Sequence, residues 1–333
     1  MDNLITARVI LEHKERYILI SEFGELEAQV TGKLRFTANS PADFPSVGDH
    51  VAISLAGDNL AIIHEVLPRK SFLARKMVGS NEMQIIAANL DIAFITTAVE
   101  RDFNLNRIER FLTIARSGNV EPVVLLTKTD LIDEPELNAI VESIQKSHPG
   151  VPVYALSNIS GKGIEEFSSR LEKDKTYCFL GSSGVGKSTL INSISNNYLQ
   201  KTLSISDSTG KGRHTTTSRQ MIILEKGILI DTPGLREIGI TAEKSGIENT
   251  FSQLMDLAAQ CRYSDCTHTA EKGCAVLKAV EMNELDDRTL ESYRKLEKER
   301  RHLETSHADK RKNEKKFGKM AKQILSEKKK SKY

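Results

Sequence analysis

Three groups of residues in this chain have the types and spacing for chemistry. Gly181-Ser182-Ser183-Gly184-Val185-Gly186-Lys187-Ser188-Thr189 fits the pattern G-x-x-x-x-G-K-[ST]. Gly181, Gly184 and Gly186 let the backbone wrap so that its N–H groups face phosphate oxygens, while Lys187 neutralises the β- and γ-phosphates. Ser188 offers its hydroxyl to Mg²⁺, and the N-terminus of the following helix adds a favourable dipole. Downstream, Asp231-Thr232-Pro233-Gly234 follows an apolar run. Alone this is a common turn sequence. After a phosphate loop it becomes a sensing segment, with Asp231 reaching Mg²⁺ through water and the Gly234 N–H touching the γ-phosphate.

The second group concerns the base. In Thr127-Lys128-Thr129-Asp130, the Asp carboxylate can accept both the N1–H and the N2 amino hydrogens of guanine, which adenine does not offer. The Lys128 stem would pack along the base. Thr127 stands where Asn is more usual and is shorter, so its contact is expected to be lost or moved. A second base contact comes from Ser157-Asn158, where Ala is more usual after the serine; a backbone N–H can still serve. Either segment alone also reads as a strand-end turn. Between phosphate loop and Asp231 lies Gly212-Arg213-His214-Thr215-Thr216-Thr217, a polar stretch with few apolar anchors. A threonine there can close on Mg²⁺ and the γ-phosphate. Leu235 holds the place of a water-positioning Gln, which leaves His214 as the available group to orient water.

The third group is Cys261-x4-Cys266-x-His268-x5-Cys274. Three thiolates and one imidazole suit a closed tetrahedral Zn²⁺ site, structural rather than catalytic, because no position is left for water. A redox-active or merely buried cysteine group is the competing reading. The fourth cysteine, Cys178, sits in an apolar strand-like run and reads as a small core residue.

These residues need scaffolds. The chain has 333 residues, enough for two or three cores, with 39% hydrophobic and 28% charged residues, ordinary for a globular protein. Residues 1 to about 67 read as five short strands, Leu4–Leu11, Tyr17–Ser21, Glu27–Thr31, His50–Leu55 and Leu60–Val66, separated by turn signals. That fits a small OB-like barrel, a frequent nucleic-acid binder, or an SH3-like one. Pro68 to Lys76 reads as a basic connection. From Leu90 the pattern alternates: strands at Asp91–Ala98, Pro122–Leu126, Val151–Ser157 and Thr176–Leu180, helices at Arg107–Ser117, Pro135–Ser147, Gly163–Lys173 and Lys187–Ser195. A hairpin at Met221–Glu225 and Ile228–Ile230 follows. Such βα alternation implies a mainly parallel sheet covered on both faces. Helical periodicity returns at Ile247–Gln260 and over 276–304.

Charge is uneven. Residues 310–333 hold eleven Lys/Arg against Glu314 and Glu327, a net +9, which leaves −7 on residues 1–309. A basic arm on an acidic body points to a polyanionic partner, or to a tail that serves solubility. No apolar run approaches the ~20 residues that span a bilayer, and the N-terminus lacks a signal-peptide pattern, so a cytoplasmic protein without membrane contact is expected.

The guanine motif precedes the phosphate loop, the reverse of a Ras-like domain, as if the fold had been circularly permuted. That order, with Gly-Arg-His-Thr-Thr-Thr, Asp-Thr-Pro-Gly, the Cys/His cluster and the basic end, resembles the ribosome-biogenesis GTPases known as RsgA or YjeQ. The resemblance implies an α/β P-loop GTPase domain (69–246, circularly permuted) between an OB-like β-barrel (1–68) and a zinc-binding helical domain (247–305), with a basic tail (306–333). It implies a monomer that binds GTP and GDP, the small (30S) ribosomal subunit and its 16S rRNA. Subunit-stimulated hydrolysis would drive release late in assembly. By position, Thr127, Lys128, Thr129, Asp130, Ser157 and Asn158 would read guanine, and Gly181 to Thr189 would hold the phosphates. Ser188 and Thr216 would bind Mg²⁺, Lys187, Thr216 and His214 would act in catalysis, and Cys261, Cys266, His268 and Cys274 would bind zinc. The residues alone leave other readings: a nucleotide-gated RNA chaperone, a P-loop ATPase or kinase, or a membrane-recruited signalling GTPase.

Overall fold

The computed structural model describes residues 4–13, 16–77, 82–100, 103–195, 219–231 and 243–302. His214, Thr216, Gly234, Leu235 and the basic tail lie outside them. Five strands open the chain: β1 (Ile5–His13), β2 (Arg16–Ser21), β3 (Gly24–Val30), β4 (His50–Leu55) and β5 (Leu60–Val66). They pair in the order β1-β2-β3-β5-β4, and β4 closes back on β1. Alternate residues point inward, so Val9, Leu19, Leu26, Val51, Ile53 and Ile63 fill the interior. The closed circuit, with β3 and β5 parallel, is the OB-like barrel expected from strand spacing. A short helix, α1 (Gly32–Thr37), was not expected. It is capped by the Thr31 hydroxyl but buries no residue, so it carries no apolar stripe to read.

The stretch expected as a basic connection is instead half of a hairpin, β6 (Phe72–Lys76) with β7 (Met83–Ala88). Leu73, Ala74, Ile85 and Ile86 are buried there; the flanking charges concealed them. Arg69 is not solvated either. It forks onto both oxygens of buried Asp49 at 2.7 Å and caps the Ala42 and Phe44 carbonyls.

Among the described residues, six strands form the central sheet: β8 (Ile92–Ala98), β9 (Glu121–Thr127), β10 (Val153–Ala155), β11 (Thr176–Leu180), β12 (Arg219–Leu224) and β13 (Gly227–Asp231). Their order is β10-β9-β8-β11-β13-β12. All neighbours are parallel except the β12–β13 hairpin. The strands bury both faces: Val124 and Leu126 join one core layer, Val123 and Leu125 the other. Helices α2 (Leu105–Ser117), α3 (Glu134–Ser147), α4 (Ile164–Ser169) and α5 (Lys187–Ser195) cross between strands. Asn104 and Asp133 accept first-turn N–H groups to start α2 and α3. The expected strand at 151–157 and helix at 163–173 are each trimmed. Cys178 is wholly buried, and burial pushes its thiol up to about 12, as suits an inert core residue.

The last unit holds α6 (Lys244–Thr250), α7 (Ser252–Ala258), α8 (Ala275–Glu281) and α9 (287–302). The helix expected over 247–260 breaks at Phe251, whose ψ of 40° leaves the helical region while its ring packs on Tyr293. The helix expected from 276 breaks where Asn283 takes the left-handed conformation. No helix among the described residues is long and apolar enough to cross a membrane.

Helix α2 anchors this unit. A Cβ on Gly246 would fall 1.9 Å from Ser117 Oγ, so only glycine permits this helix crossing. Beside it, Glu109, fully buried, accepts from both terminal nitrogens of Arg288 at 3.0 Å, with His148 Nε2 at 3.4 Å. Replacing Arg288 with Ala strands a buried carboxylate and should lower stability by about 3 kcal/mol. The double variant Glu109→Leu/Arg288→Met should recover most of that loss. Urea unfolding followed by circular dichroism measures both.

Candidate functional site

Parallel strands finish on one side of a sheet, and here that side collects the chemistry. The register pairs Ala98 with Thr127 and Ile95 with Leu180. The segments after β9, β10 and β11 therefore emerge together, and Asp231 ends β13 beside them. The sheet thus brings Thr127–Asp130, Ser157-Asn158, Gly181–Thr189 and Asp231 to one edge.

Two side chains join the guanine segments to each other and to the phosphate loop. Thr127, fully buried, donates its hydroxyl to the Val185 carbonyl at 2.6 Å. The contact expected to be lost or moved is moved onto the phosphate loop. Ser157 donates to Asp130 Oδ1 at 2.5 Å while its oxygen accepts the N–H groups of Ile159 and Ser160. The serine thereby fixes both the loop and the carboxylate. Lys128 takes the left-handed conformation, φ 59°, and reaches Glu100 at 3.2 Å. Sequence reasoning missed Glu100; its signal was position, just past the end of β8 at the same sheet edge.

The phosphate loop has the backbone its glycines allow. Gly181 (φ +146°) runs so close to β8 that a Cβ would meet the Thr96 carbonyl at 2.2 Å, and Gly184 and Gly186 also take positive φ. Lys187 folds over the loop and donates to the Gly181 and Ser182 carbonyls at 2.7 and 2.5 Å. Ser188 and Thr189 are exposed in the first turn of α5. Ser188 and Asp231 offer hard oxygen donors, the chemistry Mg²⁺ takes.

The Cys/His cluster also assembles. Ligand atoms of Cys261, Cys266, His268 and Cys274 all lie within 4.8 Å of one another. Tetrahedral zinc with Zn–S bonds of about 2.3 Å needs sulfurs about 3.8 Å apart. Cys261 Sγ lies 3.8 Å from Cys274 Sγ and 3.7 Å from His268 Nδ1, and His268 Nδ1 lies 3.4 Å from Cys274 Sγ. The donor set fits one Zn²⁺ and closes around it. Glu271, also missed, accepts N–H groups from Thr267, Thr269 and Ala270, and so shapes the turn that presents His268. The Thr267 hydroxyl and amide hold its carboxyl below the usual carboxylate range.

Comparison with known proteins reads the same edge. An ABC transporter family model matches residues 164–322, a span that includes the phosphate loop but not Thr127–Asp130. The RsgA GTPase family model matches residues 66–241, which includes both. Small ribosomal subunit biogenesis GTPase RsgA 2 of Lactiplantibacillus plantarum is 45% identical over 296 residues, covering 89% of this chain and 83% of that protein. The chain belongs to the RsgA GTPase family. RsgA of Opitutus terrae is 42% identical, covering 90% of this chain and 84% of that protein. Among solved structures, YjeQ from Thermotoga maritima superposes with a TM-score of 0.67 at 28% identity, covering 89% of this chain and 98% of that one. YloQ, a circularly permuted GTPase, gives 0.66 at 23% identity over 90% of this chain and 96% of its own, a likeness of fold. The reversed motif order of this RsgA-family GTPase is thus a circular permutation.

Two outcomes test the site. Gly181→Ala should weaken binding of a fluorescent GDP analogue roughly a hundredfold with an unchanged far-ultraviolet spectrum, because the new methyl displaces the loop from β8. Purified protein should carry about one zinc per chain by elemental analysis, and Cys266→Ser should lose it together with part of the helical signal.

Proposed function

We propose that this RsgA-family GTPase is an assembly factor that binds the small (30S) ribosomal subunit and its 16S rRNA late in biogenesis and leaves when GTP is hydrolysed. The observation that carries the nucleotide half is the Thr127 to Val185 hydrogen bond, which joins a base-reading segment to a phosphate loop at one sheet edge. The relatives' name, small ribosomal subunit biogenesis GTPase, supports the ribosomal half. So does the +9 charge of residues 310–333.

In this reading Asp130 accepts the guanine N1–H and N2 hydrogens with Ser157 holding it, and Lys128, Thr129 and Asn158 line the base. Gly181 to Thr189 wrap the phosphates, and Lys187 balances their charge. Ser188 and Thr216 would hold Mg²⁺, which when bound would neutralise charge developing on the phosphate oxygens. Asp231 would support the metal through water, the Gly234 N–H would meet the γ-phosphate, and His214 would orient the attacking water. The zinc cluster is structural. The barrel, zinc module and tail share the RNA contact, and the protein works as a cytoplasmic monomer without a membrane.

Steady-state GTP hydrolysis, with and without purified small subunits, tests this. Subunits should raise the rate by about tenfold or more, as trans-acting partners of GTPases do. His214→Ala should abolish the stimulated rate while sparing GDP affinity. A rate indifferent to subunits would remove the ribosomal half and leave the GTPase intact.

A further inference from the structure

Two departures from the more usual guanine-binding residues meet in this fold. Thr127 stands where Asn is more usual and Asn158 where Ala is more usual. Both side chains reach the same strand of the phosphate loop. Thr127 Oγ1 donates to the Val185 carbonyl at 2.6 Å, and Asn158 Nδ2 donates to the next carbonyl, that of Gly186, at 3.4 Å. The carboxamide absent from one guanine segment is present on the other.

Protein contacts leave that amide under-satisfied. A carboxamide can donate two hydrogens and accept at its oxygen. Asn158 gives one amide hydrogen to Gly186 over a long bond and, among the described residues, gives the second to nothing; its buried Oδ1 also lacks a partner there, an acceptor that water rather than a purine acceptor would serve. Buried amides in folded proteins are seldom left so, and those that are often await a ligand. Its position indicates which one. The preceding residue, Ser157, holds Asp130, and a Cβ on Gly186 would lie 3.1 Å from Asn158 Nδ2. The amide therefore sits between the carboxylate that selects the base and the loop that takes the phosphates. Guanine whose N1–H and N2 hydrogens face Asp130 keeps only acceptors, O6 and N7, on its major-groove edge. N7 belongs to the ring that carries the ribose, and so lies nearer the phosphates.

We propose that Asn158 is a base-reading side chain whose second amide hydrogen serves guanine N7, in place of the carboxamide that Thr127 lacks. Thr127 then keeps its ties to the phosphate loop and, at 3.2 Å, to the Thr97 carbonyl of β8. The inference rests on the guanine reading of Asp130.

Calorimetric titration of the zinc-loaded full chain with GDP and 7-deaza-GDP, which lacks the N7 acceptor, tests it. The natural chain should bind 7-deaza-GDP about tenfold more weakly than GDP, the worth of one hydrogen bond. Asn158→Ala should bind both nucleotides equally, at that weaker level. Thr127→Asn/Asn158→Ala, which restores the usual pair, should regain both the affinity and the preference for GDP. Equal binding of the two nucleotides by the natural chain overturns the proposal, as does an Asn158→Ala variant that still prefers GDP. Asp130→Asn separates the two readings. If it abolishes GDP binding while Asn158→Ala binds like the natural chain, only the Asn158 assignment fails; if it leaves GDP binding unchanged, the guanine reading itself fails.

Discussion

Parallel pairing in one register is the constraint from which the rest of this molecule follows. Once β8 pairs with both β9 and β11, their carboxyl ends share a side, and the loops that leave them must meet. Backbone hydrogen bonds depend on which strands are adjacent and not on the order in which the chain visits them. A G-domain can therefore be opened at one loop and rejoined elsewhere, and its nucleotide edge still forms. Two close contacts lock that edge: Gly181 backs onto the Thr96 carbonyl, and Thr127 bonds the Val185 carbonyl. Each crosses from the base-reading half of the chain to the phosphate-holding half. Neither has slack, since one admits no Cβ and the other is a buried hydroxyl 2.6 Å from the Val185 carbonyl, with the Thr97 carbonyl also within reach at 3.2 Å.

What could be read from sequence divides by range. The phosphate loop, the guanine motif and the Cys/His cluster are each written within a few residues, and each assembled. Strands such as His50–Leu55 and Leu60–Val66 showed through because alternation and turn residues marked both ends. The β6–β7 hairpin did not, because Arg69, Lys70, Arg75 and Lys76 masked Leu73 and Ala74, and its partner strand lies beyond a turn. The break at Phe251 was invisible too: its neighbours keep a helical period, and the ring's preference for Tyr293 is a tertiary matter. The Glu109, His148 and Arg288 cluster joins residues as far as 179 apart in sequence. Nothing local distinguishes Glu109 from an exposed helical acid. The contact of Thr127 was expected to be lost or moved; its hydroxyl reaches a carbonyl of the neighbouring loop, a partner that lies 58 residues away in sequence.

The edge is also mechanically continuous with its surroundings. Strand β12 pairs with β13 up to Asp231 and with barrel strand β1 at Leu11 and Glu12. Nucleotide edge and barrel are thus parts of one hydrogen-bonded run of eleven strands. A displacement of Asp231 along β13 is shared with β12, and through it with the barrel. Among the described residues, two residue pairs form the junction between β12 and β1. Arg8 braces it from the barrel side, donating to Thr176 at the start of β11.

The helical unit is attached in the opposite manner. It touches the G-domain through α2, the helix that follows β8, and does so with a glycine-only crossing and a buried ion cluster rather than a strand pair. Rigid packing of that kind moves as a body. Its own core is small, and the segment 259–274 that carries the ligands holds no helix or strand. Cys274 caps α8 by accepting the Leu277 N–H, so one residue serves both the ligand set and the helix start. Zinc at these four atoms would supply the cross-link that a core of this size does not provide. The unit's interior would then depend on the metal and its orientation on α2, two separate supports that a single substitution does not remove together.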